Sequence, residues 1–255
     1  MLRIRVIPCL QLRGESLVKT VRFGKYTYLG DPANTCRIFN ELEVDELSFL
    51  DITASKEGRE PNFKLLSEIS NECFMPVSYG GGITSLGVAE KILQLGFEKI
   101  VINSEAIKNP GLINNISRVV GNQSTIVAID VKIGVLGKAT CRSNSATHNS
   151  KRDPVEWARE VEDRGAGEIL LTSVDREGTW QGFDVKLVKS IVDVVGIPVI
   201  AHGGAGTVHH IGRVVKEGGA SAVAVGSMVV FQKQGMGVLV NFPNSVELEA
   251  VLKEG

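Results

Sequence analysis

Short runs of consecutive apolar residues alternate with amphipathic segments along this chain. Eight such runs, roughly 4–10, 47–51, 76–79, 99–103, 125–130, 168–173, 198–202 and 222–226, are expected as strands. They are continuous rather than alternating, as when both faces of a parallel strand are covered. Between them the apolar spacing is helical, as at Val88, Ile92 and Leu95, or at Leu187, Val188, Ile191 and Val195. Asp31-Pro32, Asn109-Pro110 and Asp153-Pro154 each set a capping side chain before a proline at the first helical position. Gly96, Gly121, Gly165, Gly196 and Gly218 fall where helices would stop. Strand-then-helix units with connections this short predict a closed (β/α)8 TIM barrel, with chemistry expected where the strands end. Two loops exceed what closure needs, Arg13 to Gly30 after the first strand and Lys132 to Arg152 after the fifth, and both are candidate lids.

The pattern repeats once. Met75-Pro76-Val77 returns as Ile197-Pro198-Val199, Gly81-Gly82 as Gly203-Gly204 and Glu46-Leu47 as Glu168-Ile169, each displaced by 122 residues. One long period points to two half-barrels, about 1–122 and 123–255, within a single domain. At 255 residues and 43% hydrophobic, the chain can bury one large core. It shows no 18-residue apolar run and no signal-like start, so a soluble cytoplasmic protein with no membrane segment is expected. Lys and Arg total 28 against 29 Asp and Glu, which leaves no bulk charge for nucleic acid or an anionic membrane. Any anion must be held locally. Cys9, Cys36, Cys73 and Cys141 with His148, His202, His209 and His210 make no zinc ligand set, so neither metal nor cofactor is expected.

Gly80-Gly81-Gly82 follows the third strand and Gly203-Gly204-Ala205-Gly206 the seventh, with Asn103-Ser104 and Gly226-Ser227 ending the fourth and eighth. Glycines there let backbone N–H groups approach an anion, and two sites related by the repeat would hold a bis-phosphate small molecule. Tight turns with no ligand are the plainer reading. Asp51 and Asp175 end the second and sixth strands, where a carboxylate could bind ligand hydroxyls or simply cap a helix. Asp130 ends the fifth strand, and its counterpart on the first is Gln11. Ring opening and ring closure need one group to take a proton and another to give one. Glutamine cannot titrate, so the pair offers one proton-transfer group.

Over its whole length the chain resembles the cyclase subunit family of imidazole glycerol phosphate synthase. The likeness rests on Val6-Ile7-Pro8-Cys9-Leu10, Gly30-Asp31-Pro32, Leu50-Asp51-Ile52-Thr53-Ala54-Ser55, Gly80-Gly81-Gly82-Ile83, Ile102-Asn103-Ser104, Asp175-Arg176-Glu177-Gly178-Thr179 and Ala201 to Gly206. The resemblance implies a barrel docked at its bottom face to a glutaminase (amidotransferase) subunit, whose ammonia crosses the barrel to a bis-phosphate substrate at the top. It implies that Lys19 belongs to a mobile first loop, and that Asp51, Gly82, Asn103, Gly203, Gly204, Gly226 and Ser227 bind substrate and phosphate. It also matches Arg5, Glu46, Lys99 and Glu168 to a charged ring at the ammonia entrance. These four lie at strand beginnings, and two positive and two negative charges could pair into a closed ring.

Against that family Gln11 stands in place of a catalytic aspartate, Tyr79 in place of a small aliphatic residue and His202 in place of a small residue. All three are expected on the reactive face. Tyr79-Gly80-Gly81-Gly82, Lys151 to Trp157 and Val238 to Pro243 are similar to divergent paralogues found with surface-sugar enzymes. That likeness implies a barrel supplying ammonia to a third, ATP-using amidating enzyme that makes an acetamidino group on a surface-polysaccharide sugar. The alternative is a working cyclase of histidine biosynthesis, making imidazole glycerol phosphate and aminoimidazole carboxamide ribotide, with His202 as the candidate partner for Asp130.

Overall fold

The computed structural model describes residues 4–134 and 137–253. Positions 135 and 136 of the second long loop, and both chain ends, lie outside the described residues. The first half runs β1 (Arg5–Arg13), β2 (Ser16–Thr20), β3 (Tyr26–Gly30), α1 (Pro32–Glu41), β4 (Leu47–Asp51), α2 (Ala54–Glu57), α3 (Phe63–Glu72), β5 (Val77–Gly80), α4 (Leu86–Gln94), β6 (Lys99–Ile102), α5 (Ser104–Lys108) and α6 (Gly111–Val120). The second runs β7 (Thr125–Ile133), β8 (Ala139–Ser143), β9 (His148–Asn149), α7 (Pro154–Asp163), β10 (Glu168–Ser173), α8 (Val185–Val192), β11 (Val199–His202), α9 (Val208–Lys216), β12 (Ala222–Val225), α10 (Ser227–Val230) and α11 (Ser245–Lys253).

Eight of these strands pair in parallel in the order β1, β4, β5, β6, β7, β10, β11, β12, and β12 pairs back with β1. The result is a closed (β/α)8 barrel. Alternation along the strands splits the core in two. Ile7, Cys9, Val101, Ile126, Ala128, Leu170, Ile200, Ala222 and Ala224 fill the barrel interior, with Leu50 against them. Their neighbours, such as Leu10, Phe49, Val127 and Leu171, face outward under the helices.

Helix starts repeat as faithfully as the strands. Asp31 and Asp153 accept the first-turn amides of α1 and α7, with proline following each. Asn62 and Asp184 do the same for α3 and α8, and Ser85 and Thr207 for α4 and α9. Such caps satisfy amides that a helix cannot pair internally, typically worth about 1 kcal/mol each. Asn109 departs from expectation: it closes α5, and α6 starts after Pro110 with no side-chain cap. At the end of α9 the left-handed residue is Gly219 (φ 74°) rather than Gly218.

The two long loops are not open lids. β1 continues to Arg13 and turns back as β2 and then β3, while β7 continues to Ile133 and pairs with β8, which pairs with β9. Each half-barrel therefore carries an antiparallel extension of its first strand above the mouth. No helix among the described residues is long and apolar enough to cross a membrane.

Candidate functional site

At the bottom of the barrel the four strand-start charges form a closed cycle. Arg5 donates to Glu46 Oε2 at 2.6 Å and to Glu168 Oε1 at 2.9 Å. Lys99 Nζ lies 3.3 Å from Glu46 Oε1 and 3.2 Å from Glu168 Oε1. Each cation thus bridges both carboxylates. Burial opposes the Arg5 charge, but Glu168 and Glu46 outweigh it and raise the Arg5 pKa. Above the ring stands the apolar interior layer, and above that the mouth.

Alternation brings Gln11, Asn103, Asp130, Thr172 and His202 to the mouth, where they line a cavity of about 100 Å³ together with Phe23, Asp51, Gly81, Ser104 and Ser145. Asp130 accepts from Asn103 Nδ2 at 2.7 Å. Burial lifts its carboxyl to about 7, with hydrogen bonds from Thr172 and Asn103 acting in the other direction. Thr172 Oγ1 also meets His202 Nδ1 at 3.1 Å. Burial, and to a lesser degree the Lys19 charge, drops the His202 pKa to about 3, so its imidazole is neutral near pH 7. Thr172 drew no attention in the sequence; its place, two residues before Val174 on a buried strand, was the available signal.

Gln11 does not face Asp130 as an idle spectator. Its Oε1 accepts from Thr20 N at 2.8 Å and its Nε2 donates to Glu177 Oε1 at 3.3 Å. Lys19 Nζ donates to the same Glu177 oxygen and, at 2.8 Å, to the Thr20 carbonyl. The second Glu177 oxygen accepts from Thr20 Oγ1 at 3.0 Å and Phe23 N at 3.1 Å. Glu177 is fully buried. Burial lowers the Lys19 pKa to about 7, with the nearby Cys9 thiol acting in the opposite direction. Lys19, expected in a mobile loop, thus lies on β2 with its ammonium enclosed. Glu177 lies within the Asp175 to Thr179 motif, where nothing local in the sequence marks its partners. The β8–β9 tip is fastened across the opposite side: Asn144 N donates to Ser104 Oγ at 3.0 Å and Ser145 Oγ to the Ile52 carbonyl.

The remaining candidates divide. Asp51 Oδ1 accepts from Thr53 N and Ala54 N at 3.0 Å, and its Oδ2 pairs with Arg59 at 2.8 Å. It is a helix-start cap that borders the mouth. Asp175 lies beyond the end of β10, where Oδ2 accepts from Ile133 N at 2.9 Å and ties the loop to β7. Tyr79 faces outward rather than onto the reactive face, edge to face with Phe97 at 5.9 Å. The strand period explains the difference: Gly80, not Tyr79, points inward, and the phenol is buried under the helices. Gly81 (φ 123°) and Gly203 (φ 95°) take left-handed backbone, and a Cβ would come within 2.6 Å of the Asp51 carbonyl and 2.7 Å of the Ser173 carbonyl. The fold alone requires these glycines. The first turn, at Gly82, opens with Ser55, Arg59, Ser104, Lys108 and Arg152 onto a cavity of about 610 Å³. The second, at Gly203, Gly204, Gly226 and Ser227, leaves only about 10 Å³ beside Lys19 and Glu177.

The family described as "Histidine biosynthesis protein" matches residues 5–234. The chain belongs to this family. A Pseudomonas aeruginosa member provisionally named imidazole glycerol phosphate synthase subunit hisF2 is 47% identical, over 98% of this chain and 99% of its own length. A Leptospira borgpetersenii protein provisionally named subunit HisF of the same synthase is 44% identical, over 98% of this chain and 99% of its own. A Vibrio vulnificus protein provisionally named subunit hisF3 is 41% identical, over 99% of this chain and 98% of its own. Within the family, then, this is a cyclase-type barrel subunit of the divergent paralogue kind.

Proposed function

We propose that this chain is the ammonia-receiving barrel of a glutamine amidotransferase in which the parent ring closure has lapsed. A glutaminase subunit docks at the bottom, ammonia passes the Arg5–Glu46–Lys99–Glu168 ring, and the apolar lumen carries it as neutral NH3 toward Asp130. An ATP-using partner in the cytoplasm then consumes it in forming an acetamidino group on a surface-polysaccharide sugar. The observation that carries the reading is Gln11: it cannot titrate, and both ends of its amide are engaged by Thr20 and Glu177. Asp130, near 7, is left as the proton-transfer group of that pair. The sugar acceptor is supported by the sequence likeness over Lys151 to Trp157 and Val238 to Pro243.

The test combines the chain with its glutaminase, ammonium and the bis-phosphate substrate of the synthase, and follows imidazole glycerol phosphate. Turnover at rates normal for an enzyme, about 1 s⁻¹ or more, would sink the lost-closure reading. A second mixture adds the ATP-using enzyme and an acetamido sugar. Glutamine-dependent acetamidino formation should require this chain, and its appearance without the chain would overturn the delivery role. The working-cyclase reading draws on one observation, the neutral His202 joined through Thr172 to the Asp130 side of the mouth. In that case His202→Ala should abolish imidazole glycerol phosphate formation.

A further inference from the structure

Helix α1 packs against α3, and two thiols meet in the seam between them. Cys36 Sγ and Cys73 Sγ lie 3.1 Å apart in a hydrogen bond. We infer that Cys36 and Cys73 are a reversible redox pair, which a peroxide closes into a disulfide and a small dithiol reopens, locking α1 to the end of α3.

Three observations carry this. The first is position. A disulfide sets its sulfurs about 2.05 Å apart, so closure asks each sulfur to move by about half an ångström. Polar contacts beside the pair already hold the two helices in register. Arg37 Nε and Nη2 each donate to the Glu72 carboxylate at 2.7 Å, Asn40 Nδ2 donates to the Glu72 carbonyl at 2.6 Å, and Phe74 N donates to Asn40 Oδ1 at 3.2 Å. The second is access. Cys73 follows α3 as its C-cap and is partly exposed beside the exposed Phe74, whereas Cys36 is fully buried behind it. An oxidant reaches one sulfur, and the other stands ready to attack from inside. The third is chemistry. The hydrogen bond with Cys36 holds the Cys73 pKa below its ordinary value, although burial and Glu72 oppose it, and the same bond pushes Cys36 up. Thiolate therefore forms on the member that an oxidant can reach. Cys9 and Cys141 do not compete, because both are buried and burial lifts each thiol to about 12.

With hydrogen peroxide the steps balance. The Cys73 thiolate attacks one peroxide oxygen and the O–O bond breaks, leaving Cys73 sulfenic acid and a hydroxide that takes up the thiol proton as water. The Cys36 sulfur then attacks the Cys73 sulfur, the S–O bond breaks, and the departing hydroxide leaves with the Cys36 proton as a second water. Two thiols have given two electrons to one peroxide. The chain continues from Cys73 to Pro76, whose carbonyl accepts Leu47 N at 2.9 Å, next to Glu46 of the bottom ring. Closure therefore tightens the end of the barrel that carries the ring.

The test treats the full-length protein with a small excess of hydrogen peroxide, then counts free thiols and maps the digested peptides by mass spectrometry. Of the four thiols, two should disappear, with the peptides of Cys36 and Cys73 joined and Tm raised by about 5 °C or more. Dithiothreitol should reverse all three changes. Cys36→Ala should stop at the Cys73 sulfenic acid, trapped as its dimedone adduct, and Cys73→Ser should keep its remaining thiols free. Four free thiols after treatment, a bridge that uses Cys9 or Cys141, or an unchanged Tm in the bridged protein would each overturn the inference.

Discussion

Asp130 keeps its proton longer than a carboxyl in water because its site offers few charges to replace the lost hydration, and Asn103 and Thr172 compensate only in part. The sign of the stability effect follows. In the unfolded chain the group ionises near 3.8, in the fold near 7, so between these values the native state holds the extra proton. Stability therefore falls as pH rises through that window, by up to about 4 kcal/mol. Asp130→Asn should leave stability unchanged near pH 4 and raise it at pH 8, as read from urea midpoints at each pH. The His202 contribution runs oppositely, lost below its unfolded 6.5, and cancels between the two proteins. Parallel pH profiles would refute the buried-acid assignment. Gln11 shows the converse. Its Nε2 donates to Glu177 Oε1 at 3.3 Å, so Gln11→Glu would set two carboxylates against each other with Lys19 between them. A loss of about 1 to 3 kcal/mol above pH 6, recovered toward pH 4, is expected in the same measurement. Unchanged stability would mean that Lys19 neutralises both acids.

The antiparallel extensions were the part of the fold that the residues concealed. The eight barrel strands, and caps such as Asp31 and Asp153, are legible because their causes are local and occur twice. By contrast, Gln11 and Glu177 meet across 166 positions, and the β2–β3 hairpin sets buried Val18 beside exposed Tyr28 without the alternation that marks a strand. Tyr79 differs from expectation for a related reason: its place beside a glycine turn suggests the mouth, whereas the period of two sends it under the helices. Of the mouth, Asp130, Gln11 and His202 were visible, while Thr172 and Glu177 needed the third dimension. The β2–β3 extension makes its own prediction. Phe23 N, Thr20 Oγ1 and Lys19 all bond Glu177, and Arg22 N adds the Glu177 carbonyl at 2.9 Å. Glu177→Gln keeps the shape but removes the charge, so amide exchange at Phe23 should quicken by about tenfold or more while the β4 and β10 amides stay protected. Equal protection in both proteins would show that strand pairing, not Glu177, holds the extension down.

The bottom ring belongs to the whole molecule, because its four members come from β1, the start of β4, β6 and β10 and cancel only once the barrel has closed. Its neutrality has two consequences that one pair of variants can separate. Lys99→Met removes one bridge and leaves two carboxylates facing Arg5 alone, at a cost of about 1 to 3 kcal/mol because the site is only partly buried. Adding Glu168→Gln restores the charge balance and should return most of that stability. On the proposed ammonia route, delivery should not return with it. An open ring admits water and hydrated ammonium at the foot of an apolar lumen, where a charged species has no partner and neutral NH3 gains nothing from the protein. In the proposed complex with a glutaminase, glutamine should still be hydrolysed with either variant while the ammonia escapes to solution, as read by the ratio of acceptor aminated to glutamate formed. If the double variant regains that ratio along with its stability, charge balance alone explains the ring. If neither variant loses it, ammonia takes another path.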